Sequence, residues 1–115
     1  MSIAWGKEQR IKFQGGWKLG DWTPPESPGV YAITYKQDNV NRPKSHTVVY
    51  FGESGNVARQ GLPWSHECAR CWLDQAGAMS ELYVFFHPMP HSTQHERWLI
   101  YERLVSEYRP MCNRH

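Results

Sequence analysis

Gly29-Val30-Tyr31, answered nineteen residues later by Tyr50-Phe51-Gly52, is the stretch on which the reading of this chain turns. The first triplet opens the run Val30-Tyr31-Ala32-Ile33-Thr34-Tyr35. The second closes the run Thr47-Val48-Val49-Tyr50-Phe51. Both runs are rich in β-branched and aromatic residues, which suit a pleated, partly buried surface. Lys36 to His46 between them is polar and carries Asp38, Asn39, Asn41 and Pro43. These are turn residues, so the segment predicts a β-hairpin with a long loop.

Downstream, Ser54-Gly55-Asn56 offers residues that start helices, and Val57 to Gln60 can form one turn before Gly61, Leu62 and Pro63 stop it. A helix is expected from Ser65, as N-cap, to about Gln75, ended by Gly77. Leu82-Tyr83-Val84-Phe85-Phe86 is almost wholly apolar and predicts a third, central strand over 81–87, covered on both faces. Thr93 with Glu96 three residues later has the form of a capping box and opens a helix from Gln94 to about Tyr108, which Pro110 stops. Upstream, residues 1–28 are rich in Gly, Pro and Trp. They are expected to be an irregular leader that packs Trp17 and Trp22 on a domain spanning 29–115. The fold class is α+β, with a three-stranded mixed sheet flanked by helices.

The 115 residues suffice for one domain, and 40% hydrophobic residues are enough for a compact core. A formal charge of +2 permits a nucleic-acid partner without arguing for one. No apolar run reaches membrane-spanning length, and no secretory leader is expected. Three cysteines, an odd number, do not make a disulfide framework, which points to a reducing, cytoplasmic setting.

On a helix over 94–108, Glu96, Arg103 and Glu107 share one polar stripe. Glu102 falls outside it, between Leu99 on one side and Trp98 and Val105 on the other. A carboxylate left buried and unpaired costs on the order of several kcal/mol. Glu102 is therefore expected to have a partner: a cation, a donor, a metal, or water in a cleft.

The two triplets, the Glu53-Ser54-Gly55-Asn56-Val57-Ala58-Arg59 segment, Glu102 and Pro110-Met111-Cys112-Asn113 together resemble the GIY-YIG nuclease family. The resemblance covers Gly29 to Asn113. It implies a small mixed sheet flanked by helices and a magnesium-dependent endonuclease acting on DNA phosphodiesters. The implied catalytic set is Tyr31, Tyr50, Arg59, Glu102 and Asn113. In it a tyrosine positions or deprotonates the attacking water, Arg59 stabilises phosphate charge, Glu102 binds magnesium or another divalent cation, and Asn113 supports the site. Gly52, Ser54, Asn56 and His66 are implied on the substrate side. The chemistry is coherent: magnesium accepts few carboxylates and keeps its waters, and arginine matches phosphate with two donors.

The chain departs from the family mainly in one segment, Glu53 to His66. The family's arginine position, ten residues after the second tyrosine, is Gln60, and Arg59 stands one residue early, a rotation of about 100° on a helix. Glu53 brings a negative charge beside the second triplet, and His66 is the nearest candidate for the ring that often follows the arginine. The spacing from Glu102 to Pro110 is one residue short. A second reading is therefore a GIY-YIG-fold protein of weak or no activity that binds nucleic acid or protein. A third, zinc held by Cys68, Cys71, Cys112 and His115, is weighed against two small cysteines facing the core, and the latter is favoured.

Overall fold

The structure is a computed structural model, and it describes residues 1–63 and 65–113. Five strands run β1 (Ser2–Trp5), β2 (Ile11–Lys18), β3 (Gly29–Tyr35), β4 (Thr47–Ser54) and β5 (Leu82–Pro88). Two helices follow their own order, α1 (Ala69–Ala76) and α2 (Gln94–Tyr108). The strands form one sheet in the order β1-β2-β5-β3-β4, and every pairing is antiparallel.

The hairpin of β3 and β4 is as expected, with Tyr31 opposite Gly52 and Gly29 opposite Ser54. β5 is indeed central, and Leu82 to Phe86 are all buried. The α+β class holds, but the sheet has five antiparallel strands instead of three mixed ones. The two additional strands come from residues 1–28, which are therefore not an irregular leader. Gly15 and Gly16 form a bulge in β2, at φ 144° and 82°, and pairing with β5 resumes at Trp17. Trp17 stacks on Trp22, whose ring lies 6.2 Å from Phe86, so the two tryptophans do pack on the domain.

The sheet separates two cores, and alternation along β3 and β5 fills both. On one face Tyr31, Ile33, Val84 and Phe86 pack with Val57 and with Trp72 of α1. On the other Val30, Ala32 and Phe85 pack with Trp5, Phe13, Phe51 and Leu104 of α2. This double burial is why the central strands read as continuous apolar runs.

The capping box of α2 is present: Thr93 Oγ1 accepts from Glu96 N–H at 3.1 Å, and Glu96 Oε1 accepts from Thr93 N–H at 2.7 Å. α1 starts at Ala69 with Cys68 as its N-cap, three residues later than the sequence suggests. Its entrance is made by His66, whose Nδ1 accepts the Cys68 N–H at 3.0 Å and whose carbonyl accepts the Ala69 N–H. Gly77, at φ 89°, ends α1 as expected.

Cys71 and Cys112 are joined in a disulfide, and Cys68 is free. The odd cysteine count therefore concealed one bridge, and the inference from it to a reducing compartment falls. The bridged sulfurs are not available as thiolate ligands, and His115 of the considered zinc set lies outside the described residues. Among the described residues no helix is long and apolar enough to cross a membrane.

Candidate functional site

The site gathers where β3 and β4 carry their tyrosines. Tyr31 is fully buried, and its ring lies directly over Gly52 on the neighbouring strand. A Cβ at Gly52 would stand 2.5 Å from the Tyr31 hydroxyl oxygen, so glycine is required there by the ring. Tyr50 lies beside it, ring centroids 6.1 Å apart, and packs against His66 and Trp72 at 5.3 Å each.

Three residues fix the Tyr31 hydroxyl in a directed chain. The Cys68 backbone N–H donates to His66 Nδ1, so that nitrogen carries no proton. In the neutral ring the proton then sits on Nε2, which donates to the Tyr31 oxygen at 3.2 Å. Tyr31 in turn donates to Gln60 Oε1 at 3.3 Å. Burial lowers the His66 pKa, against the opposing pull of Glu67, which keeps the ring in this neutral form. Burial is also the main reason that both phenols are pushed above their ordinary range. The Tyr50 neighbour comes next for Tyr31, and the Cys68 thiol and Tyr101 come next for Tyr50. Neither phenol can act as an ionised base near neutral pH.

Asn113 sits where the β4 edge would accept another strand. Its Oδ1 accepts the Phe51 N–H at 2.8 Å, and its Nδ2 donates to the Phe51 carbonyl at 2.8 Å. It thus pairs the residue next to Tyr50 as a β-partner would, and its Nδ2 lies 3.5 Å from the Tyr101 hydroxyl. Asn56 caps the short turn Val57–Arg59 by accepting the Ala58 N–H, and the Ser54 hydroxyl accepts the Asn56 N–H. Both residues shape the loop that presents Gln60.

Tyr31, Tyr50, Gly52, His66 and Asn113 are therefore brought together. Arg59 is exposed on the turn beside Gln60, and it is Gln60 that touches Tyr31. Glu102 is also exposed. The expectation that it is drawn inward assumed that Trp98 and Leu99 mark a buried face, but these are 43% and 48% exposed. The inward face of α2 carries Arg97 and Leu104, both buried, with Tyr101 half-buried on the same side. The carboxylates whose charge reaches the phenols are Glu53, at Tyr31, and Glu67, at Tyr50.

Arg97 was missed from the sequence. Its Nε donates to Glu53 Oε2 at 3.1 Å, and its Nη1 donates to the Ser92 carbonyl and hydroxyl. It is buried, so the pair locks the end of β4 to the start of α2. Tyr101 and Gln60 were also not read as site residues. The signal was available in the ten-residue spacing from Tyr50 for Gln60, and in the short Glu102-to-Pro110 spacing for Tyr101.

Comparison with solved structures matches this architecture to the GIY-YIG N-terminal endonuclease domain of UvrC from Thermotoga maritima bound to magnesium. Identity is 22% over 79% of this chain and 88% of that one, with a TM-score of 0.50. A point mutant of the same domain, bound to its catalytic divalent cation, matches at 21% identity over 80% and 88%, with a TM-score of 0.51. This chain has a GIY-YIG-like fold. No protein-family model and no curated protein matches the sequence.

The cation of those domains can be tested against the residues here. Magnesium wants hard oxygen ligands, with at least one carboxylate among them in protein sites. The oxygens gathered at this GIY-YIG-like site are neutral phenols and amides. The Gln60 and Asn113 carbonyls already accept hydrogen bonds. Glu53 is tied to Arg97, and Glu102 faces solvent. Among the described residues no group of three His, Cys, Asp or Glu could hold a metal. The groups that touch the Tyr31 hydroxyl therefore offer magnesium no free carboxylate.

Proposed function

We propose that this chain is a nucleic-acid-binding module on a GIY-YIG-like fold, holding a phosphodiester over the tyrosine pocket without a metal-dependent cut. One observation carries this reading: the Tyr31 hydroxyl is closed into a neutral chain with His66 and Gln60. Cleavage at such a site needs an activated nucleophile and fixed positive charge at the phosphate. Gln60 supplies neither, and both phenols are held protonated.

Binding needs less. Exposed Arg59, on the turn next to Gln60, offers a guanidinium for a phosphate oxygen. Glu53, which alone would repel a phosphate, is neutralised by Arg97.

A second reading, a magnesium-dependent DNA endonuclease using Tyr31, Tyr50, Arg59, Glu102 and Asn113, is favoured by the paired phenols and the shared fold. A single experiment separates the two. Labelled single-stranded, duplex and branched DNA are titrated with the protein, with and without magnesium, and followed by anisotropy and by gel. The binding reading expects magnesium-independent binding, weakened by Arg59→Ala, with intact DNA. Magnesium-dependent cleavage that Glu102→Ala abolishes overturns it and establishes the second reading. Absence of binding to all three DNA forms overturns both.

A further inference from the structure

Three sulfurs lie along one wall of the tyrosine pocket. Cys71 of α1 is bonded to Cys112, which sits on the turn Met111–Asn113. Cys68, three residues before Cys71, is free, half-buried, and occupies the N-cap of α1. The Trp72 N–H already bonds the Cys68 carbonyl at 3.2 Å, so helical geometry extends back to Cys68. Helix dimensions then place the Cα atoms of Cys68 and Cys71 about 5 Å apart. That separation falls inside the window of roughly 4.4–6.8 Å that disulfides span, as does the 5.8 Å of the existing bridge. Cys71 thus has two partners within bonding reach of its backbone.

We infer that Cys68, Cys71 and Cys112 form an internal thiol–disulfide exchange site, in which the bond at Cys71 passes between Cys112 and Cys68. The step balances without an external oxidant or reductant. The Cys68 thiolate attacks Cys71 Sγ, a Cys68–Cys71 bond forms, the Cys71–Cys112 bond breaks, and Cys112 leaves as the thiolate. The proton lost from Cys68 is matched by one taken up at Cys112, and the number of disulfides is unchanged.

The two forms differ in what they hold. With Cys112 bonded, the turn carrying Asn113 is covalently tied to α1. With Cys68 bonded, that turn is held by the two Asn113 hydrogen bonds to Phe51. Burial, then Glu67, pushes the Cys68 thiol up, against the Tyr50 hydroxyl, and Cys68 is in turn felt by both phenols. Exchange therefore links the tyrosine wall to the clamp on the β4 edge. The inference does not rest on the nucleic-acid reading.

The test is disulfide mapping of the intact oxidised chain. The protein is incubated at about pH 9, above an ordinary thiol pKa, because burial and then Glu67 push the Cys68 thiol up. It is then trapped with N-ethylmaleimide and digested without reductant. Trypsin cuts after Arg70, so Cys68 and Cys71 leave on separate peptides and their linkage is read directly. The expected result is a Cys68–Cys71 linkage accompanied by alkylated Cys112, with loss of Cys112 alkylation in Cys68→Ser. Alkylation confined to Cys68, with the Cys71–Cys112 linkage alone, overturns the inference. So does Cys112 alkylation that persists unchanged in Cys68→Ser. As a second arm, Cys112→Ser is oxidised with glutathione disulfide. A Cys68–Cys71 bond is expected, and its absence, with both thiols free or only glutathionylated, overturns the inference.

Discussion

Substituting Gly52 by alanine probes the geometry on which the pocket depends. The added methyl would stand 2.5 Å from the Tyr31 oxygen and 2.7 Å from a ring carbon. Tyr31 is fully buried and held by His66 and Gln60, so its ring has little freedom to retreat. Overpacking of this kind costs typically 1–3 kcal/mol, and the rigid surroundings place Gly52→Ala at about 3. Removing the ring with Tyr31→Leu is itself destabilising by about 2 kcal/mol through lost packing and hydrogen bonds. If the clash is the cause, the double variant should be about as stable as Tyr31→Leu alone, a coupling of roughly 3 kcal/mol. Urea unfolding of the four proteins, with the disulfide intact, measures this. Single-variant costs that simply add, to within about 0.5 kcal/mol, would show that Gly52 is not there for the ring.

Three further outcomes follow from the structure. Arg97→Met leaves Glu53 largely buried and unpaired and should cost about 3 kcal/mol, with much of this recovered by adding Glu53→Gln, as chemical denaturation will report. Reducing the Cys71–Cys112 bridge, with its 41-residue separation, should lower stability by about 4 kcal/mol on the loop-entropy account, read from urea midpoints with and without a phosphine reductant. His46 is held down at about 4, mainly by burial and then by Lys36, so between pH 6.5 and 4 the unfolded chain takes up a proton that the folded chain refuses. Stability should therefore fall as pH drops through that window, by about 1–2 kcal/mol after discounting for solvent screening, and His46→Gln should flatten the slope.

The fold was legible where pattern and packing agree. The capping box at Thr93 and Glu96 set the start of α2 because both partners of the reciprocal bond are visible in the sequence. The continuous apolar run of β5 announced burial on both faces. β2 was obscured because Gly15 and Gly16 interrupt its alternation, and a bulge looks like a break when the partner strand is unknown. The disulfide was hidden for a related reason: parity of a cysteine count carries no information on which two of three sulfurs approach each other.

The site was half legible, and the missed half turns on a single residue of helix rotation. Placing Glu102 inside required treating Trp98 and Leu99 as core, since a helical wheel ranks positions by chemistry and not by what lies opposite. In the fold both remain substantially exposed, and the inward positions are taken by Arg97, Leu104 and, half-buried, Tyr101. The same offset of one separates exposed Arg59 from Gln60, which reaches Tyr31. Arg59 and Glu102, the charged residues expected at the pocket, are both exposed, and the groups that touch the Tyr31 hydroxyl are neutral. Arg97 carries the compensating logic, since it is buried and spends its charge on Glu53. A guanidinium committed to joining β4 and α2 steadies the scaffold around the tyrosines, and a scaffold preserved in this way with a neutral interior is suited to holding a ligand more than to breaking its bonds.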